Sequence, residues 1–195
     1  MGTPHGLGPP EALTLTNQSR KALIEGILKV TAVLALIISI GVALDWVSLL
    51  PHFPSGPFVV PGVALLLAGM ALEAYSTSIL WALGNGTPNP ESPPDRLVAE
   101  GIYARSRNPL YVARLTILAG AAAVLQSSGV ALLTVLLYLC IEFVLLPREE
   151  RRLASRYGEP YRAYCQRTPR WLSLRSRRAD VNEESSGPSA RSPER

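Results

Sequence analysis

Four apolar stretches separated by turn residues constrain this chain more than any other feature. Residues 22–50 form the first, with no charged side chain from Val30 to Leu44, and residues 58–83 form the second. Pro51, Pro54, Ser55, Gly56 and Pro57 lie between them, a turn that no helix crosses. Residues 109–126 and 129–147 make the third and fourth, parted by Gln126-Ser127-Ser128-Gly129. About 20 residues carry a helix across the hydrocarbon core. The first two stretches are therefore long enough, and the last two sit near the short limit. Because lipid offers no partner to backbone N–H and C=O groups, only helices and closed barrels span it. Runs of this length predict an all-α polytopic membrane protein with about four transmembrane helices. A charged, helix-prone segment follows Pro147, predicting a cytoplasmic helix over about 148–165, with Gly158 a natural stop inside it.

Composition agrees. Hydrophobic residues make up 48% and charged residues 17%, and the mean hydropathy is +0.19 despite an arginine-rich C-terminal end. That excludes disordered and fibrous classes for the body of the chain. Two cysteines, Cys140 and Cys165, build no disulfide framework, and His5 and His52 give no metal cluster, so no metal is expected. The net charge of +4 arises from residues flanking the apolar stretches, which predicts membrane retention rather than nucleic-acid binding. The Pro51 and Gln126 turns carry no Lys or Arg, whereas the N-terminal flank, the central loop and the C-terminal segment carry many. Both termini are thus expected to be cytoplasmic, in the inner membrane of a bacterium. Residues 1–19 read as a loose tail without signal-peptide or myristoylation features, 20–172 as the membrane domain and 173–195 as a disordered tail.

Residues able to do chemistry cluster where the central loop re-enters the membrane, in Gly101-Ile102-Tyr103-Ala104-Arg105-Ser106-Arg107-Asn108-Pro109-Leu110-Tyr111. Pro109 suits the first turn of a helix, where its missing N–H has no partner to lose. Arg105, Arg107 and the tyrosines are equally the ordinary furniture of a membrane interface. A second cluster is Glu149-Glu150. Counting by helical spacing puts Glu142, Leu145, Glu149, Arg152 and Arg156 on one stripe that runs from the membrane boundary into the cytoplasmic helix.

Taken in order, Leu97-Val98-x-x-Gly101-x-Tyr103, Arg107-Asn108-Pro109-x-Tyr111, Glu149-Glu150, Tyr157-Gly158-x-x-Tyr161-x-x-Tyr164 and Pro169-Arg170-Trp171 resemble the isoprenylcysteine carboxyl methyltransferase and phospholipid methyltransferase superfamily of membrane enzymes. Gly84-Asn85-Gly86-Thr87 is similar to its Gly-x-Gly cofactor segment. The resemblance spans roughly residues 83–171. It implies an S-adenosyl-L-methionine-dependent methyltransferase acting on a hydrophobic or lipid-like acceptor by in-line transfer to O, N or S. It further implies that Gly84, Gly86, Leu97, Val98, Tyr103, Arg107, Asn108, Pro109, Leu110, Tyr111, Glu149 and Glu150 bind the cofactor, and that Tyr161 and Tyr164 pack the C-terminal helix onto the site. Glu142 and Glu150 are the candidates for a general base. Asn108 stands where the Arg-His-Pro-x-Tyr form has His. Leu145 stands where prenylcysteine enzymes place an arginine, which argues against a prenylcysteine substrate.

Glu73, within the second stretch, is costly in hydrocarbon. It is expected either to line an acceptor tunnel, or else to snorkel to the nearby boundary or to stay protonated and bond Ser76 or Thr77. Gly62, Gly69 and Gly120 are expected to pack helices closely. Two other functions fit the same scaffold: a nicotinamide-dependent reductase, against which the Glu149-Glu150 pair counts by repelling a polyanion, and a non-catalytic membrane adaptor.

Overall fold

The computed structural model describes residues 9–47, 56–84 and 96–172, with side chains from Arg20 onward. The tail at 173–195, Gly86 and the turn at 51–55 lie outside those residues. Helix α1 spans Pro9–Val47, α2 Val59–Gly84, α3 Pro109–Leu125, α4 Ser128–Cys140, α5 Leu146–Tyr157 and α6 Glu159–Arg167. A 3₁₀ turn at Gly101–Ala104 precedes α3, and a π-helical turn at Ile141–Leu145 joins α4 to α5. Arg20–Val47, Val59–Leu83 and Ser128–Tyr157 are long and apolar enough to cross a membrane, and Pro109–Leu125 is a shorter apolar helix. The protein is an all-α polytopic membrane protein.

Three features depart from the reading of the sequence. Helix α1 begins at Pro9 rather than near residue 22: prolines are tolerated in a first turn, and Glu11-Ala12-Leu13 are strong helix formers. The fourth span does not end at Pro147 but continues unbroken to Tyr157. An interior proline lacks an N–H and its ring presses on the carbonyl four residues earlier. Here the turn immediately before Pro147 widens into a π-bulge, which relieves that contact without ending the helix. The segment after Pro147 is also two helices rather than one over about 148–165: Gly158, the stop marked by the sequence, takes φ +62°, a left-handed value that breaks α5 from α6.

Helices α2 and α3 pack side by side along their length. Their closeness depends on glycine: a Cβ on Gly120 would stand 2.7 Å from the backbone nitrogen of Leu66 and 2.8 Å from the carbonyl of Gly62. Gly62 and Gly69 are equally confined from the α2 side. Gly120→Ala is therefore expected to lower stability by about 1–3 kcal/mol, the usual cost of overpacking; an unchanged thermal midpoint in detergent would mean that the helices separate easily.

The two ends of the bundle are held differently. At one end α3 closes on Gln126, left-handed at φ 53°, and Ser127 caps α4 by accepting from the Val130 N–H. Asp45 of α1 accepts there from the Gly129 N–H at 2.7 Å and the Ser127 hydroxyl at 2.5 Å. At the other end the loop before α3 meets the strap after α6: the Arg107 N–H donates to the Pro169 carbonyl at 2.9 Å. The central loop and the C-terminal segment thus share one end, and the functional groups gather there.

Candidate functional site

Tyr103 anchors the loop before α3. It is buried against Leu80 and Val98, with Ile79, Leu83, Ile102 and Leu110 packed around them. Its phenol reaches the Ser76 carbonyl at 3.5 Å, and its own carbonyl accepts from the Tyr164 hydroxyl at 2.6 Å, fixing α6 over the loop. Burial pushes the phenols of Tyr103, Tyr161 and Tyr164 above their ordinary range, so they remain neutral, hydrogen-bonding walls across the physiological range.

The strap at Pro169-Arg170-Trp171 closes the arrangement. Its Arg170 carbonyl accepts from the Asn108 side-chain amide at 3.1 Å and from the Ser106 hydroxyl at 3.3 Å. The Arg170 guanidinium donates from Nη2 to Glu150 Oε2 at 2.8 Å, from Nε to Glu150 Oε1 at 3.1 Å and from Nη1 to Glu142 Oε1 at 2.6 Å. Those two carboxylates raise its pKa still further. Trp171 donates its indole N–H to Glu142 Oε2 at 2.8 Å and stacks obliquely on Tyr138, ring centres 5.4 Å apart.

This network corrects the helical stripe read from the sequence. Glu142 and Glu149 are seven residues apart and would share a face of an uninterrupted α-helix. The π-turn between them adds a residue to one turn, and Glu142 comes into phase with Glu150 instead, both grasping Arg170. Arg107, not the neighbouring helix arginines, is the other partner of Glu150, at 2.9 Å. Glu142 and both oxygens of Glu150 are thus engaged by cations.

A cavity of about 360 Å³ opens between the loop, α3, α5 and α6. Leu97, Val98, Tyr103, Arg107, Asn108, Pro109, Leu110 and Tyr111 line it from one side, and Glu149 and Glu150 from the other. Tyr161 and Tyr164 line it as well. Glu142 does not, its oxygens being taken by Arg170 and Trp171 of the strap, and Gly84 ends α2 without entering the lining. Two groups in the wall have bonding capacity to spare. Glu149 accepts from the Tyr111 hydroxyl through Oε2 at 3.0 Å, while no hydrogen bond to its Oε1 occurs among the described residues. Arg107 spends Nη1 on Glu150 and on the Cys165 sulfur at 3.0 Å, and its buried Nε–H has no partner among the described residues.

Sequence reasoning placed Leu145, Arg152 and Arg156 on a stripe without assigning them to a site; they line this cavity together with Arg148. Arg114 was missed altogether. Its signal was present, since it follows Tyr111 by three residues and so shares that face of α3. Glu73 bonds neither Ser76 nor Thr77: its Oε1 accepts from Nε and Nη2 of Arg114, each at 3.2 Å. Nor is Glu73 in the cavity wall; Arg114 is.

Residues 58–160, just over half of the chain, match the model of the phospholipid methyltransferase family. The chain belongs to that family. No curated protein and no solved structure matches it. The family is one of methyltransferases, and with the apolar helices described above the protein is a membrane methyltransferase. The matched segment contains α2, α3, α4 and α5 and therefore most of the cavity wall, while the Pro169–Trp171 strap lies beyond it.

Proposed function

We propose that this protein transfers a methyl group from S-adenosyl-L-methionine to a hydrophobic, lipid-like acceptor, with the cavity facing the cytoplasm of a bacterial cell. The observation that carries the reading is the pair of unspent groups in the cavity wall. Glu149 Oε1 is an acceptor suited to the cofactor's ammonium or ribose hydroxyls, and the Arg107 Nε–H is a buried donor suited to a carboxylate. The neutral tyrosines and the apolar side chains of Leu97, Val98 and Leu110 supply a frame for an adenine ring. When bound, the cofactor supplies an electrophilic methyl on a sulfonium.

The chain's own contribution is position and dryness. The Tyr164 bond to the loop and the Arg170 grip on Glu150 hold α6, the loop and α5 together around the cavity, which limits water. Glu142 and Glu150 are both ion-paired, so neither is poised to remove a proton. Arg148, Arg152 and Arg156 line the wall near Glu149. They offset the carboxylates and remove the electrostatic objection to a polyanionic dinucleotide, which keeps a nicotinamide-dependent reductase as a second reading.

Calorimetric titration of the purified chain separates these readings. Saturable binding of S-adenosylmethionine and S-adenosylhomocysteine, with none of NADPH, is the expected result. NADPH binding alone would establish the reductase, and binding of none by folded protein would favour an adaptor.

A further inference from the structure

A second cavity, of about 290 Å³, lies between α1, α3 and α4. Val30, Val33, Leu34 and Ile37 of α1 form one side of it, a face repeated at three- and four-residue spacing. Leu137, Ile141 and Leu145 form the other side, along α4 and the π-turn. Apart from Lys29, Arg114 and the Tyr111 hydroxyl, the side chains of the wall are hydrocarbon. Val33 is 55% exposed, so the cavity reaches the outer, lipid-facing side of the bundle. It meets the first cavity at Tyr111, Arg114 and Leu145, which line both.

The dimensions of the cavity are those of one chain. Gly26 to Ile37 on α1 and Leu137 to Leu145 opposite cover about 16 and about 12 Å, at a helical rise of about 1.5 Å per residue. A zigzag of C–C bonds of about 1.5 Å advances about 1.3 Å per carbon, so ten carbons extend about 13 Å. At about 30 Å³ each, the share that a molecule of that size takes in a liquid, ten methylenes also fill the volume. Length and volume are thus both used up by a single chain, with none left for a second beside it. The polar groups of the wall are held by partners: Arg114 gives Nε and Nη2 to Glu73, the Tyr111 hydroxyl donates to Glu149, and Lys29 is engaged as well. Selection by this cavity is therefore a matter of shape.

We propose that this cavity holds the hydrocarbon chain of the methyl acceptor and that the acceptor is a single-chain amphiphile, about ten of its carbons lying between α1 and α4 and its head at Tyr111 and Arg114; the acceptor role rests on the methyltransferase reading above. Lipid tails are as apolar as this wall, so a chain entering from the bilayer gains no hydrophobic energy, and packing decides what stays. A lipid with two chains branches next to its head, and that branch would lie where the cavity is one chain wide. A head that reaches the junction with a free lone pair forms its bond to the methyl carbon as the S–CH₃ bond of the donor breaks and that electron pair returns to sulfur. An amine head becomes an alkylated ammonium and sheds its proton to water afterwards, and an anionic head has none to shed.

The test is photolabelling of the full chain in nanodiscs, without methyl donor, by dodecanol carrying a diazirine at its far end. Unlabelled monododecanoylglycerol and didodecanoylglycerol, both with a neutral head, serve as competitors. Cross-links are expected on α1 and α4 around Ile37 and Leu137, where the cavity is farthest along both helices from its junction with the first. Monododecanoylglycerol is expected to displace the label at a concentration at least tenfold lower than didodecanoylglycerol. Leu34→Trp, which fills the cavity, is expected to cut that labelling at least fivefold. Should it not fold, Val33→Trp, on the lipid-facing side, is expected to do the same. Cross-links confined to other surfaces, labelling unchanged in a folded tryptophan variant, or equal displacement by the two glycerides would overturn the proposal. S-adenosylhomocysteine titrated into the same preparation keeps the two ideas apart. Its failure to bind beside a labelled, single-chain-selective cavity would remove the methyl-transfer reading alone, and its binding beside an unlabelled cavity would remove the chain site alone.

Discussion

Arg170→Gln is expected to destabilise the folded protein by about 2–4 kcal/mol and to weaken S-adenosylhomocysteine binding more than tenfold. One guanidinium answers two carboxylates here, with three hydrogen bonds of 2.6–3.1 Å to Glu142 and Glu150. Its removal leaves Glu142 without a cation among the described residues and Glu150 with Arg107 alone. Breaking a fully buried pair costs about 3–5 kcal/mol. The side chains here are 20–31% exposed, and water recovers part of that. The effect on binding follows from position. The Arg170 carbonyl holds Asn108 and Ser106, and the neighbouring Pro169 carbonyl holds the Arg107 N–H, so a released strap releases the loop that lines the cavity. Arg170→Lys is expected to recover little, because an ammonium does not reproduce a planar fork spread over two acids. Thermal unfolding in detergent and calorimetry on the same preparations check both claims. A variant that keeps its thermal midpoint would show the strap to be peripheral, and one that loses stability but keeps affinity would separate the strap from the site.

The parts of this structure legible in the sequence are those set by local rules. Pro109 opens α3, Gln126 and Ser127 turn the α3–α4 hairpin, and Gly158 parts α5 from α6, each through its own backbone chemistry. The carboxylates misled because counting by 3.6 assumes an unbroken helix. A π-bulge beside Pro147 has no sequence signature beyond the proline, yet it decides that Glu142 joins Glu150 rather than Glu149. Asp45 and Arg114 were invisible for another reason. Each is a single charge near or in an apolar run, and its meaning depends on a partner far along the chain: Ser127 and Gly129 for the first, Glu73 for the second. Glu73 announced that some partner must exist, since an isolated carboxylate in hydrocarbon is costly. Which residue supplied it was a matter of helix packing, and that packing rests on Gly62, Gly69 and Gly120.

Glu149→Gln is expected to weaken S-adenosylmethionine binding by about 1.5–3 kcal/mol, roughly 10- to 150-fold, with the fold intact. The argument compares two adjacent acids on one helix. Glu150 lines the cavity but has both oxygens committed to Arg107 and Arg170, so its removal is expected to act through stability. Glu149 has one protein partner, the Tyr111 hydroxyl on Oε2, and its other oxygen has none among the described residues. A glutamine keeps the size and an acceptor oxygen but loses the charge. The loss is therefore that of a charge-assisted hydrogen bond rather than of packing. Tyr111→Phe supplies the comparison: it removes the bond that orients Glu149 while sparing the carboxylate, and is expected to cost less than Glu149→Gln. If both variants bind equally weakly, orientation rather than charge is what Glu149 contributes. A folded Glu149→Gln of unchanged affinity would take Glu149 out of the site and leave the Arg107 Nε–H as the remaining unspent group for a charged ligand.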